Sequence, residues 1–125
     1  MRVISELFVS ALVRQTFSDN GFAAVTRKGA AEAGAILVII DLRNGRYDLY
    51  APAPQAFFDD GDQGRLFEQV LSSVERADIE TRLEREARMD PDFWVVEIEA
   101  ADGKVDLPLA KDQDTPNPAD AFFRL

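Results

Sequence analysis

Apolar residues recur at Ile4, Leu7, Phe8, Ala11 and Leu12, a spacing that places them on one side of a helix, and Asp19-Asn20-Gly21 then supplies residues that tolerate a left-handed C-terminal turn. The pattern predicts a first helix over Ser5 to Ser18. Val9, Val13 and Phe17 widen its apolar side, which fits a monomer core and a homodimer seam alike. Phe22 to Lys28 alternates as a strand does, and Gly29 to Gly34 is a connection of small residues. Ala35 to Leu42 is apolar at nearly every position, the mark of a central strand with Ile36, Val38 and Ile40 facing one layer and Leu37 and Ile39 the other. Asn44-Gly45 fits a tight hairpin turn that needs positive φ angles, and Arg46 to Ala51 returns antiparallel until Pro52-Ala53-Pro54 ends the strand.

Phe57 to Gly64 reads as a surface loop in which Asp62 or a polar neighbour caps a second helix, whose apolar face is Leu66, Phe67, Val70, Leu71 and Val74. After a break near Ser72 to Ala77, Ile79, Leu83 and Ala87 give a third helix a narrow docked stripe. On its solvated side Asp78 stands four residues before Arg82, and Glu84 four before Arg88. Pro91 stops this helix, because it lacks an amide hydrogen and turns Asp90 away from helical geometry. A strand with the sole tryptophan follows, in which Trp94, Val96 and Ile98 point to the core and Phe93, Val95, Glu97 and Glu99 point the other way. Asp102-Gly103 turns the chain into a short last strand with Val105, Leu107 and Leu109, weakened at Pro108. These elements predict a single α+β domain over 1–109, an antiparallel sheet of four or five strands packed against about three helices. Residues 110–125 form a polar, proline-containing tail that ends in the apolar Phe122, Phe123 and Leu125.

Four pieces, RKGAAEAGAILV at Arg27 to Val38, LYAPAP at Leu49 to Pro54, the helix ending in EREARMD, and DPDFWVVEIE from Asp90, resemble a family of small, uncharacterised, mainly alphaproteobacterial proteins catalogued as a domain of unknown function. The resemblance covers most of residues 1 to 100 and implies a common fold and a bacterial cytosolic setting. It carries no functional residues across, and the tail lies outside it.

Composition narrows the chemistry. The 125 residues contain no cysteine and no histidine, which removes disulfides, thiolate nucleophiles, imidazole bases and nitrogen- or sulfur-ligated metals. A formal charge of −9 disfavours nucleic acid. The run Val3 to Val13, interrupted by Glu6, is too short and too charged to span a bilayer, so the chain reads as cytoplasmic with no membrane partner. Neither a cofactor nor a metal is expected. Asp59-Asp60-Gly61-Asp62 invites calcium, but the twelfth position counted from Asp59 is Val70 and from Asp60 is Leu71, where an EF-hand loop needs glutamate.

Two sets of candidate residues remain. Arg27 and Lys28, beside Gly29, form a compact basic site that, with Asp90 and Asp92, would hold a small anion if these segments lined one pocket. The glycine spacing of a dinucleotide fingerprint and the Gly-Lys-Ser/Thr ending of a phosphate loop are both missing, and ending a strand and a helix explains all four residues without a ligand. Tyr50, Pro52, Pro54, Phe57, Phe122 and Phe123 are the aromatic and proline positions suited to a protein partner if they lie on the surface. The reading best supported is a non-catalytic protein-interaction or regulatory module with an unidentified protein partner. The alternative is a small-anion-binding domain or atypical enzyme built on the Arg27-Lys28 loop and the Asp90-Pro91-Asp92 turn.

Overall fold

The structure, a computed structural model, describes residues 4–54, 65–100, 105 and 107–109. Its elements are α1 (Ser5–Ser18), β1 (Phe22–Arg27), β2 (Ile36–Asp41), β3 (Tyr47–Pro52), β4 (Phe67–Val74), α2 (Arg76–Met89) and β5 (Trp94–Glu99). The strands form one sheet in the order β1-β5-β2-β3-β4. One helix lies on each face.

β2 shows why the sheet is the middle layer. Ile36, Val38 and Ile40 pack with Val9 and Leu12 of α1 and with Trp94, Val96 and Ile98 of β5. Leu37 and Ile39 pack on the opposite face with Leu49, Phe93, Val95 and Ile79 of α2. All five β2 residues named are buried, the pattern of a strand covered on both sides. Leu83 and Ala87 complete the docked stripe of α2.

Two expectations are corrected. Phe67 to Val74 is a strand rather than a helix, so the described residues hold two helices, not about three. Its apolar residues fall at a helical spacing, but they pair with β3 through a ladder with two register shifts around Leu49, and the extra residues erase the alternation a regular strand would show. The sheet is also mixed rather than antiparallel. β2, β3 and β4 alternate in direction and α2 carries the chain back, so β5 enters beside β2 pointing the same way, with Ile36 opposite Trp94 and Ile40 opposite Ile98. β1 is antiparallel to β5.

Smaller differences have local causes. The β2–β3 turn has positive φ at Arg43 and Gly45 rather than at Asn44, because Asp41 Oδ1 accepts from the Arg43 amide (2.8 Å) and Asn44 Oδ1 from the Arg46 amide (3.0 Å). Arg82 turns to Glu86 (3.1 Å) rather than to Asp78. The described residues 105 and 107–109 are not part of a strand; Leu109 makes one parallel bridge to Phe67, whose amide donates to the Pro108 carbonyl (2.8 Å). The Phe57 to Gly64 loop, the expected Asp62 cap and the tail lie outside the described residues.

The docked face of α1 is rotated from the apolar stripe. Its buried residues are Ser5, Val9, Leu12 and Thr16. Both hydroxyls are satisfied by backbone, Ser5 Oγ donating to the Gly34 carbonyl and Thr16 Oγ1 to the Leu12 carbonyl (2.8 Å). The rotation leaves Leu7 and Phe17 exposed.

Candidate interaction site

The connection Gly29–Ala35 ties the start of α1 to the start of β5. The first amides of α1 have no side-chain cap; Ser5 and Glu6 donate instead to the carbonyls of Glu32 (3.2 Å) and Ala31 (2.9 Å). On the other side, the Ala30 amide donates to the Asp92 carbonyl (3.0 Å), the Trp94 amide to the Ala35 carbonyl (2.7 Å), and the Trp94 indole to the Ala30 carbonyl (2.8 Å). The connection is built of small residues because it lies against backbone: a side chain at Gly29 would run into the backbone of Asp92 and Phe93.

This packing brings the Arg27-Lys28 loop and the Asp90-Pro91-Asp92 turn together. Val25 is paired with Val96 but Arg27 with Val95, so Thr26 is an extra residue and the bulge turns Arg27 onto the face of the sheet that carries Phe93. There the guanidinium lies 4.2 Å above the Phe93 ring and donates to the Pro91 carbonyl (2.7 Å). Asp90 Oδ1 accepts from the Asp92 amide (3.0 Å), closing the turn after α2. Lys28 and Asp92 are exposed. Glu97 joins Arg76 (3.0 Å), whose charged form is favoured because the hydrogen bonds and charges of Glu97 and Glu80 outweigh partial burial. Glu99 joins Arg43 (3.3 Å). Among the described residues no group of three or more acidic side chains is placed to hold a metal ion.

The second candidate set is divided. Tyr50 is half-buried against the α1 layer, its hydroxyl pushed above the usual tyrosine range by burial and then by the charge of Asp48. Pro52 and Pro54 are exposed at the end of β3. Phe57, Phe122 and Phe123 lie outside the described residues.

A different surface emerges between α1 and β1. An open groove of about 510 Å³ is floored by Val9, Val13, Val25 and Trp94 and rimmed by Glu6, Arg14 and Lys28. Phe17 and Phe22 meet edge to face with ring centroids 5.6 Å apart, one helical turn beyond Val13. Phe17 is 49%, Phe22 56% and Val25 43% exposed. Sequence reasoning marked Val9, Val13 and Phe17 as a core face or a homodimer seam and missed the β1 half, because Phe22 and Val25 in an alternating strand read as core. Apolar side chains beside an open strand edge offer area and backbone hydrogen bonds to an incoming segment.

The model of a family described as protein of unknown function (DUF1491) matches residues 3–107. The chain is similar to a protein of A. tumefaciens known from its solution structure, with 52% identity and a TM-score of 0.74 over 88% of this chain and 100% of that one. It is similar also to a DUF1491 family protein of Caulobacter crescentus seen in a crystal structure, with 37% identity and a TM-score of 0.70 over 88% of this chain and 99% of that one. An NMR structure of a DUF1491 family protein from the same organism gives 39% identity and a TM-score of 0.69 over 88% and 98%. None of the curated proteins matches the chain.

Proposed function

The chain belongs to the DUF1491 family, which brings no named activity with it, and from that premise we propose that it is a non-catalytic protein-interaction or regulatory module working through the α1–β1 side. The observation that carries this reading is the exposure of Phe22 and Val25 on the edge strand β1, with Phe17 of α1 exposed beside Phe22. A bacterial cytosolic setting is part of the same proposal; the organisms of the relatives support its bacterial half. No helix among the described residues is long and apolar enough to cross a membrane.

The alternative reading, a small anion held by Arg27, Lys28, Asp90 and Asp92, has less support, because the Arg27 guanidinium already spans Phe93 and the Pro91 carbonyl. It makes a separate prediction: phosphate or a metabolite acid raises the unfolding midpoint, and Lys28→Ala removes the rise.

Site-specific photocrosslinking tests the main reading. A photoreactive phenylalanine analogue replaces Phe22 in one variant and Pro52 in another, each expressed in an alphaproteobacterial host. Adducts at Phe22 and none at Pro52 are expected. Adducts confined to Pro52, or none at either position, contradict the assignment of this side as the working surface.

A further inference from the structure

We infer that the occupant of the β1 edge is a second copy of this chain, paired antiparallel about a two-fold axis through Ala24, so that two five-stranded sheets become one. The inference rests on the reading of the α1–β1 side as the interaction surface and names its partner. β1 pairs with β5 alone among the described strands, so among the described residues its outer side is an unpaired ladder. The order of residue types along that ladder identifies what fits it. Asp19 and Asn20 precede the strand, Phe22 to Val25 is apolar, and Arg27-Lys28 ends it. An edge with acid at one end, apolar residues in the middle and base at the other is complementary to its own reverse, and a two-fold contact always presents it reversed.

With Ala24 on the axis, the basic end of each copy, Arg27-Lys28, comes to the end of the other that carries Asp19 and Asn20. Ala23 stands opposite Val25. Ala23 and Val25 both look toward the α1 layer, since their partners on β5 are Ile98 and Val96. The two-fold therefore joins like face to like face, as a continuous sheet requires. The bulge at Thr26 falls beyond the apolar centre and leaves Phe22 to Val25 regular. Between Phe22 and Ala31 there is no acidic residue, so the copies meet where the overall charge of −9 is locally reversed. An acidic strand of another protein is the competing occupant, and the test separates the two.

Sedimentation equilibrium of the full chain over a range of concentrations reads the outcome. The expected mass rises from the 13.9 kDa of one chain toward twice that value, with a dissociation constant on the order of micromolar for so small a contact. Val25→Lys and Lys28→Glu each hold the mass at that of one chain, and Asp19→Lys combined with Lys28→Glu restores the larger species. Circular dichroism and the unfolding midpoint confirm that each variant is folded. A wild-type chain that stays single at every concentration, a Val25→Lys variant that still pairs, or a charge exchange that fails to restore pairing overturns the inference. A single wild-type chain whose Phe22 adducts contain another protein overturns the second copy and leaves the interaction reading standing; a single chain with no adduct overturns both.

Discussion

At one edge of the sheet β4 runs for eight residues with two register shifts, and at the other β1 runs for six with one. β4 is irregular and guarded. Its first residue, Phe67, is bridged by Leu109 and bonded to Pro108, and its sequence includes Glu68, Gln69, Ser72 and Ser73. Near its far end Ser73 adopts positive φ, its amide donating to Asp48 Oδ1 (2.7 Å) and its carbonyl accepting from Arg46 (3.4 Å). β1 carries Phe22, Ala23, Ala24 and Val25 without proline or charge, and meets its bulge only at Thr26. Bulges, polar side chains and covering segments are the usual protections of an edge. Among the described residues these protections gather on β4, whereas on β1 they are confined to the end at Thr26 and Arg27, which leaves Phe22 to Val25 regular and shaped for pairing.

The largest effect should come from opening the guarded edge. Phe67 is buried and tilts against Phe8 at 5.7 Å, so Phe67→Ala is expected to lower stability by about 3–5 kcal/mol in urea denaturation. A loss below about 1 kcal/mol would mean that packing does not hold that edge closed. Next comes the anchor behind β1. Gly29→Ala pushes a methyl group into the backbone of Asp92 and Phe93 and should cost about 1–3 kcal/mol by the same measurement. Arg27→Ala removes the stack on Phe93 and the bond to Pro91, with an expected loss of about 1–2 kcal/mol. Val25→Lys should change stability by no more than about 0.5 kcal/mol, because Val25 is exposed, while abolishing association.

The smallest effect lies in the pH dependence. Tyr50 is held neutral above the ordinary tyrosine range, so the unfolded chain loses that proton first. The associated stability is intact below a pH of about 10 and declines as pH rises above it. Tyr50→Phe should flatten that alkaline decline in unfolding midpoints, and an unchanged slope would place its origin elsewhere.

Much of this architecture was legible in the sequence, and the failures have physical causes. Helix α1 has the bounds its punctuation implies, and β2 divides its residues between two layers as a continuous apolar run should. β4 was illegible because its bulges destroy the period of two, leaving Phe67, Val70, Leu71 and Val74 at a helical spacing. The parallel pairing of β2 with β5 depends on β4 being a strand and was lost with it. The face of α1 was misread because Ser5 and Thr16 occupy core positions by bonding to backbone, so apolar residues alone point the helix in the wrong direction. That rotation leaves Phe17 exposed, where the pattern alone fits both a core and a seam. The proximity of Arg27 to the Asp90-Pro91-Asp92 turn was foreseen only as a condition for anion binding. The same proximity leaves little room for side chains between the RKGAAEAG and DPDFW stretches, which are packed backbone to backbone.

The most direct test compares amide hydrogen exchange along the two edges in dilute and concentrated protein, residue by residue by NMR. Greater protection at alternate amides of Phe22–Arg27 on concentration, with Phe67–Val74 unchanged, is the predicted result. Protection that leaves β1 unaltered, or that grows along β4 instead, would contradict the account of β1 as the edge built for pairing.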